Sequence, residues 1–155
     1  MDSNADSMPG IFLTLEGDDG VGKSTQADLL ASWLEQQGRT VLRVHEPGGT
    51  RLGEKIRALL LDKEDDAMAP LAELLLFEAA RAQVMDEVIE PALARGEVVV
   101  CDRFTDSTLA YQGYGRELGA GLVRSTNDLA CGGRYPDRTL LLALDPDVAR
   151  NRVEG

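Results

Sequence analysis

A glycine-rich segment near the start of the chain carries the residues best suited to chemistry. Residues 17–25 read Gly-Asp-Asp-Gly-Val-Gly-Lys-Ser-Thr and fit the pattern G-x-x-x-x-G-K-[ST]. Gly17 and Gly22 let the backbone turn tightly and aim its N–H groups at phosphate oxygens, which a Cβ would obstruct. Lys23 could then reach the β and γ phosphates of a nucleotide, and the Ser24 hydroxyl could bind a magnesium ion. The segment therefore predicts a nucleotide phosphate site rather than a simple turn before a helix.

The elements on either side of this segment are those that a phosphate site needs. The apolar run from Ile11 to Glu16 is typical of a strand buried on both faces of a parallel sheet. Residues 23–37 carry apolar side chains at helical spacing, and Gly38 ends the pattern. A helix that begins near Lys23 would add its positive dipole end to the site. Trp33, on the same helix, is expected to fill the core.

The rest of the chain alternates strand and helix patterns. Further strands are expected at Thr40 to Val44, Glu97 to Cys101 and Thr139 to Leu144. Further helices are expected at Leu52 to Leu61, Pro70 to Ala94, Thr105 to Gln112, Gly119 to Ala130 and from Asp147 onward. This order, βαβααβααβ, predicts an α/β fold: one parallel β-sheet with helices on both faces and right-handed crossovers. Residues 1–10 are expected to form a flexible tail, and residues 11–155 a single domain.

Two more residue pairs could take part in chemistry. Asp102 and Arg103 follow the third strand at its carboxyl end, the edge where open parallel sheets bind ligands. An aspartate there could hold the hydration shell of magnesium, although a surface salt bridge is the alternative. Phe77 and Arg81 stand four residues apart, so an aromatic face and a guanidinium share one side of a helix. They could stack a base and donate to its edge, or be a core residue and a solvated charge.

Composition restricts the partners. The formal net charge of -11 argues against a nucleic-acid backbone or an anionic membrane, since both demand a basic face. Cys101 and Cys131 show no metal or redox spacing, and no apolar run has the length of a membrane span or the form of a secretory leader. We therefore expect a cytoplasmic protein with no nucleic-acid or membrane partner.

Several segments, in this order, resemble the bacterial thymidylate kinases among the phosphate-loop (P-loop) nucleoside monophosphate kinases. The resemblance runs from Ile11 to about Arg152. Its segments are residues 16–25; Glu46-Pro47-Gly48-Gly49-Thr50; Phe77-Glu78-Ala79-Ala80-Arg81; Asp102-Arg103-Phe104 with Ser107-Thr108 and Ala110-Tyr111-Gln112-Gly113; and Arg134 with Pro136-Asp137. It implies in-line transfer of the ATP γ-phosphoryl group to dTMP, which gives ADP and dTDP. It also implies Mg²⁺ as cofactor and a homodimer.

The resemblance implies a role for each matching position. Lys23, Asp102 and Arg103 would be catalytic, and Ser24 and Asp102 would hold the metal. Asp19 would face the 3′-hydroxyl of the acceptor sugar, and Arg103 would hold the acceptor phosphate. ATP would be bound by Gly17, Asp18, Asp19, Gly20, Val21, Gly22, Lys23, Ser24 and Thr25.

The resemblance also implies how the base and sugar are selected. Phe77 would stack on thymine and Arg81 would donate to its carbonyl edge. Thr108 or Gln112 would complete base recognition. Tyr111 would crowd a 2′-hydroxyl and so favour deoxyribose.

The chain departs from the family pattern at several places. His45 stands where an arginine is common, with Arg51 or Arg43 as possible substitutes, and Ala143 stands where an acidic residue is common. Relatives continue through a lid with a catalytic arginine and a last strand, so we expect the domain to be truncated at the start of the lid. Arg150 and Arg152 would only lead up to it. Two other functions stay open: a kinase for another nucleoside monophosphate, or a nucleotide-binding module without efficient turnover.

Overall fold

The computed structural model describes residues 9–62 and 68–154. The strands are β1 Ile11–Glu16, β2 Val41–His45, β3 Val98–Asp102 and β4 Arg138–Leu141. The helices are α1 Lys23–Gln36, α2 Arg51–Leu60, α3 Pro70–Val84, α4 Glu90–Ala94, α5 Thr105–Thr108, α6 Ala120–Cys131 and α7 Pro146–Glu154. The flexible tail expected at residues 1–10 lies outside the described residues, apart from Pro9 and Gly10.

The four strands form one parallel sheet in the order β2-β3-β1-β4. β1 and β3 pair in register from Ile11↔Val98 to Leu15↔Asp102, although they are far apart in the sequence. Residues 98–101 are completely or almost completely buried, as expected for a central strand covered on both faces. The parallel sheet with its helices confirms the predicted fold class.

Alternate residues of β3 enter different cores, because successive side chains of a strand point to opposite faces. Val99 and Cys101 belong to a cluster with buried residues of α3, α4 and α6. Val98 and Val100 belong to a second cluster, which α1 covers through Ala27 and partly buried leucines. The helices therefore lie on both faces of the sheet, and the loops at its carboxyl edge are left open for a ligand.

Two local expectations were wrong. Trp33 is 56% exposed, because α1 presents the buried Ala27 and Ala31 to the protein interior instead. The helix predicted to break at Gly113 continues as a π-helical stretch, Leu109–Gly115. Gly113 is buried there and an added Cβ would contact Val123 of α6, so packing against α6 favours the continued helix. No helix in the described ranges is long and apolar enough to cross a membrane.

Candidate active site

The phosphate loop, residues 17–25, connects the end of β1 to the start of α1. Gly22 is the N-cap of α1 with φ +93°, a left-handed conformation that glycine adopts without a Cβ penalty. Because a glycine cap has no side chain, the first N–H groups of α1 stay available to an anion. Lys23 is only 7% exposed, and its Nζ donates to the Asp18 carbonyl at 2.7 Å. Burial, together with the charge of Arg103, lowers the pKa of Lys23.

Ser24 and Asp102 meet beside this loop. β1 and β3 are neighbours and parallel, so both end at the same edge, and the Ser24 hydroxyl donates to Asp102 Oδ2 at 2.7 Å. Hydroxyl and carboxylate oxygens are the ligand types that Mg²⁺ prefers. No group of three or more His, Cys, Asp or Glu side chains in the described part of the chain is placed to hold a metal. A magnesium ion held here would therefore take its other ligands from water and phosphate.

Arg103 follows β3 directly and adopts a left-handed backbone conformation with φ +69°. Such a conformation is strained for an arginine, and strained residues cluster at functional sites. Its Nη2 lies 2.6 Å from Asp19 Oδ1, its Nη1 donates to Ser107 Oγ at 3.0 Å, and its guanidinium lies 5.4 Å from the centre of the Tyr111 ring. The side chain is thus aimed at the phosphate loop.

Glu16 fixes the segment that carries Arg103, a role that sequence reasoning missed. Its buried carboxylate accepts from Phe104 N at 2.7 Å, from Ser107 N at 3.3 Å and from Ser107 Oγ at 2.6 Å. Burial raises the pKa of Glu16, although these hydrogen bonds oppose the shift. A charged residue at the end of an apolar strand was the signal that could have identified it, since a buried carboxylate requires partners.

Two cavities open along the carboxyl edge of the sheet. The first, of about 390 Å³, lies over the phosphate loop and is bordered by Lys23, Ser24 and Asp102. The second, of about 630 Å³, lies between α3 and the segment after β3. They share the lining residues Asp19, Glu46, Arg57 and Arg103.

The second cavity brings together the residues expected to recognise the acceptor. Its wall includes Phe77, Arg81, Arg103, Thr108, Tyr111 and Gln112. Phe77 is half-buried, and Tyr111 is exposed with its hydroxyl 3.5 Å from Asp18 Oδ1. The predicted acceptor residues and the predicted phosphate loop therefore face adjoining cavities, and their individual roles stay predictions.

Arg81 is 2% exposed, which excludes the alternative of a solvated charge. Its Nε and Nη2 both lie 2.8 Å from Glu46 Oε2. Its Nη1 reaches Asn127 Oδ1 at 2.7 Å and Glu78 Oε2 at 3.0 Å. Its Nη1 also contacts Thr108 Oγ1 at 3.2 Å. One guanidinium thus joins its own helix α3 to residues from three distant segments.

Among the described residues, Glu46 and Glu78 share one cation, Arg81. Burial raises the pKa of Glu46 to about 7 and raises that of Glu78, and the charge of Arg81 offsets only part of each shift. Within the described residues, Glu46 Oε1 and Glu78 Oε1 are buried without a hydrogen-bond partner. The network therefore depends strongly on Arg81.

Thr108 and Gln112 both form hydrogen bonds with other side chains. Thr108 is almost fully buried, and its Oγ1 lies 2.9 Å from both the Thr105 carbonyl and Asn127 Oδ1. Gln112 has its Nε2 on Glu73 Oε1 at 2.6 Å. Both residues line the second cavity, and the choice between them for base recognition stays a prediction.

Arg57 is a further candidate that sequence reasoning missed. It lines both cavities, and its Nη1 donates to the Pro47 carbonyl at 2.9 Å. The sequence feature that could have identified Arg57 is its position as a cation on the helix that follows the Glu-Pro-Gly-Gly-Thr loop. Arg43, one of the two expected substitutes for an arginine at position 45, forms its ion pairs with Asp28 and Glu35 instead.

Two residues noted in the sequence also border the first cavity. His45 lies there, with its Nε2 3.3 Å from Glu54 Oε1. Arg152 of α7 lines the same cavity, although the sequence predicted only that it leads up to a lid.

Comparisons with known proteins give one consistent result. The family model described as "Thymidylate kinase" matches residues 15–155. A thymidylate kinase of Synechococcus sp. (strain JA-3-3Ab) is 56% identical over 145 residues, which cover 92% of this chain and 70% of that protein. One of Leifsonia xyli subsp. xyli is 55% identical over 147 residues, covering 95% of this chain and 70% of that protein.

A solved structure agrees with these sequence matches. The crystal structure of a thymidylate kinase from Ehrlichia chaffeensis superposes with a TM-score of 0.83 at 41% identity. The match covers 94% of this chain and 82% of that one.

Proposed function

Since the chain belongs to the thymidylate kinase family, a family of nucleoside monophosphate kinases, we propose that it transfers the ATP γ-phosphoryl group to dTMP and forms ADP and dTDP. The observation that carries this proposal is the pair of cavities that share Asp19 and Arg103. One nucleotide in each cavity would bring the two phosphate tails together. Such placement is the main demand of phosphoryl transfer, which requires little covalent chemistry from the protein.

The first cavity is proposed to bind ATP. The N–H groups of residues 17–25 and the Lys23 ammonium would hold the β and γ phosphates. Ser24 and Asp102 would hold Mg²⁺, which when bound neutralises charge on the phosphate oxygens. Lys23 is held close to the loop by Asp18, so its charge is already in position before a nucleotide binds.

The second cavity is proposed to bind dTMP with its phosphate toward Arg103. Arg57 lines the shared wall and would supply a second cation for that phosphate. Asp19, 2.6 Å from Arg103, would face the 3′-hydroxyl of the sugar. Two arginines at the acceptor and one lysine at the donor would offset the repulsion between two polyanions.

The base would lie against Phe77. Stacking on an aromatic side chain contributes roughly 1–3 kcal/mol per base. A guanidinium has five N–H donors, and the contacts of Arg81 within the described residues leave one on Nη2 for a base carbonyl. Gln112 would meet the remaining base edge.

The proposed substrate is tested by comparing turnover of dTMP, dUMP, UMP and CMP with ATP and Mg²⁺. We expect kcat/KM to be highest for dTMP. A clear preference for CMP would contradict the proposal and favour a different nucleoside monophosphate kinase. Binding of dTMP without ADP production would favour a nucleotide-binding module.

Replacing Arg103 by alanine should weaken dTMP binding by roughly 10- to 100-fold, because a hydrogen-bonded ion is worth about 1.5–3 kcal/mol. ATP affinity should change little, since Lys23 and the loop remain. Calorimetry with each nucleotide measures both constants. Arg124→Ala, which removes an exposed arginine of α6 outside both cavities, is the matched control. A selective loss of ATP affinity in Arg103→Ala would contradict the assignment.

Replacing Tyr111 by alanine should admit ribonucleotides more readily, because the side chain would no longer crowd a 2′-hydroxyl. The kcat/KM ratio of dTMP to its ribose analogue is expected to fall roughly 5- to 150-fold, as one lost steric contact is worth about 1–3 kcal/mol. Tyr111→Phe keeps the ring and should keep the ratio. Unaltered discrimination in Tyr111→Ala would show that the sugar is selected elsewhere.

We also propose a homodimer. Two exposed leucines lie on each of three helices, of which α3 contacts both others: Leu52 and Leu59 on α2, Leu71 and Leu75 on α3, and Leu122 and Leu129 on α6. Exposed apolar side chains on neighbouring helices are a candidate interface with a second copy of the chain. Sedimentation equilibrium tests the assembly, and a monomer at all concentrations would contradict it. The expected cytoplasmic location stays a prediction.

A further inference from the structure

Glu73 joins two side chains at the outer end of the second cavity. It lies on α3, one turn before Phe77, and its side chain is only 14% exposed. Its Oε1 accepts from Gln112 Nε2 at 2.6 Å, and its Oε2 accepts from Arg116 Nη2 at 2.7 Å. Glu73, Gln112 and Arg116 all line the cavity. Neither Glu73 nor Arg116 has a role assigned from sequence patterns.

The carboxylate decides which way the Gln112 amide faces. Burial would raise the pKa of Glu73, but hydrogen bonds from Arg116 and Gln112 and the charge of Arg116 outweigh it, so the pKa is lowered. An ionised carboxylate only accepts hydrogen bonds, whereas a side-chain amide can both donate and accept. Gln112 must therefore turn its NH₂ group toward Glu73, which leaves its carbonyl oxygen for the cavity.

We propose that Glu73 is a positioning residue that makes the cavity prefer a pyrimidine with an N–H at ring position 3. This inference rests on the proposed function, in which the base lies between Phe77 and Gln112. Thymine carries a donor at position 3 and can donate to the Gln112 carbonyl. Cytosine carries a lone pair there and would face the same oxygen with no proton between them. An unmade hydrogen bond in a buried site is the strongest source of such discrimination.

The test compares dTMP with 5-methyl-dCMP, because both carry the 5-methyl group and they differ only at ring positions 3 and 4. Dissociation constants from calorimetry are sufficient, so the test does not depend on turnover. In Glu73→Gln the side chain keeps its shape but can donate as well as accept, which frees the Gln112 amide to turn around. The ratio of the constant for 5-methyl-dCMP to that for dTMP should fall about five- to tenfold, the size of one hydrogen bond.

Arg116→Gln is the matched control. It removes the cationic partner of Glu73, and the measurement is made at a pH well above the ordinary range of a carboxyl group, so that Glu73 stays ionised and keeps its bond to Gln112. The ratio should then stay within about twofold of wild type, even if both nucleotides bind less tightly.

The outcomes separate this inference from the proposed function. A ratio in Glu73→Gln within twofold of wild type would overturn the inference alone, provided that wild type prefers dTMP. Glu73→Gln could instead weaken the binding of both nucleotides equally, or the ratio could fall equally in Glu73→Gln and Arg116→Gln. Either result would show that Glu73 has only a structural role and would also overturn the inference. Wild-type protein that binds neither nucleotide would overturn the proposed function and this inference together.

Discussion

Lys23→Ala is expected to lower the turnover of dTMP by at least about 10²- to 10³-fold, the loss measured when one preorganised donor to transition-state charge is removed. Its ammonium is buried against the phosphate loop, where a charge interacts more strongly than in water. No other described lysine or arginine occupies that position on α1. The loss should appear in kcat at saturating ATP, because charge on the moving phosphoryl group is greatest during transfer.

The measurement is steady-state ADP production, with circular dichroism and thermal unfolding as checks on the fold. Lys55→Ala is the control, since Lys55 is an exposed lysine of α2 that lines neither cavity. Its turnover should be indistinguishable from wild type. A folded Lys23→Ala protein with unchanged kcat would remove the phosphate loop from the proposed reaction.

Arg81→Ala is expected to destabilise the protein by about 3–5 kcal/mol, the cost of breaking a buried ion pair by removing one partner. The change would leave Glu46 and Glu78 buried with no cation between them, and Asn127 would lose a hydrogen bond. It would also empty the space beside Phe104, over whose ring the guanidinium lies at 5.1 Å.

Urea unfolding of the variant and of wild type measures this difference. The control is Arg95→Ala, whose arginine has an even shorter ion pair, 2.6 Å to Glu97, but lies at the surface. Exposed pairs contribute little, so the midpoint should barely move. If Arg81→Ala yields no folded protein, Arg81→Lys keeps the charge and should fold with intermediate stability. A midpoint for Arg81→Ala equal to that of wild type would contradict the account of the network.

Much of the architecture could be predicted because its signals are local. The valines of β3 form a short apolar run that is typical of a buried strand, and glycines mark several of the turns between elements. Parallel pairing then places Asp102 and Arg103 near the phosphate loop, since the ends of parallel strands share an edge. The strand β3 and the position of Asp102 and Arg103 could thus be predicted from the apolar pattern of a buried strand and from the rule that parallel strands end at a common edge.

The network around Arg81 could not be predicted in the same way. Apart from Glu78, which stands three residues before Arg81 on α3, its partners come from the loop after β2, from α5 and from α6, and no spacing in the sequence relates these to Arg81. The orientation of Gln112 depends likewise on Glu73, which is 39 residues away. The burial predicted for Trp33 was wrong for a different reason. The hydrophobicity of a single side chain does not tell which side of a helix faces the interior.

The pairing of β1 with β3 continues past the strands themselves, since Arg103 N donates to Leu15 O at 3.0 Å. The phosphate loop, which would bind the donor, follows β1, and Arg103, which would bind the acceptor, follows β3. Because β1 and β3 are hydrogen-bonded neighbours, the backbone positions of the two segments are fixed relative to each other. We therefore expect the backbone of the phosphate loop and that of Arg103 to keep their separation when substrates enter.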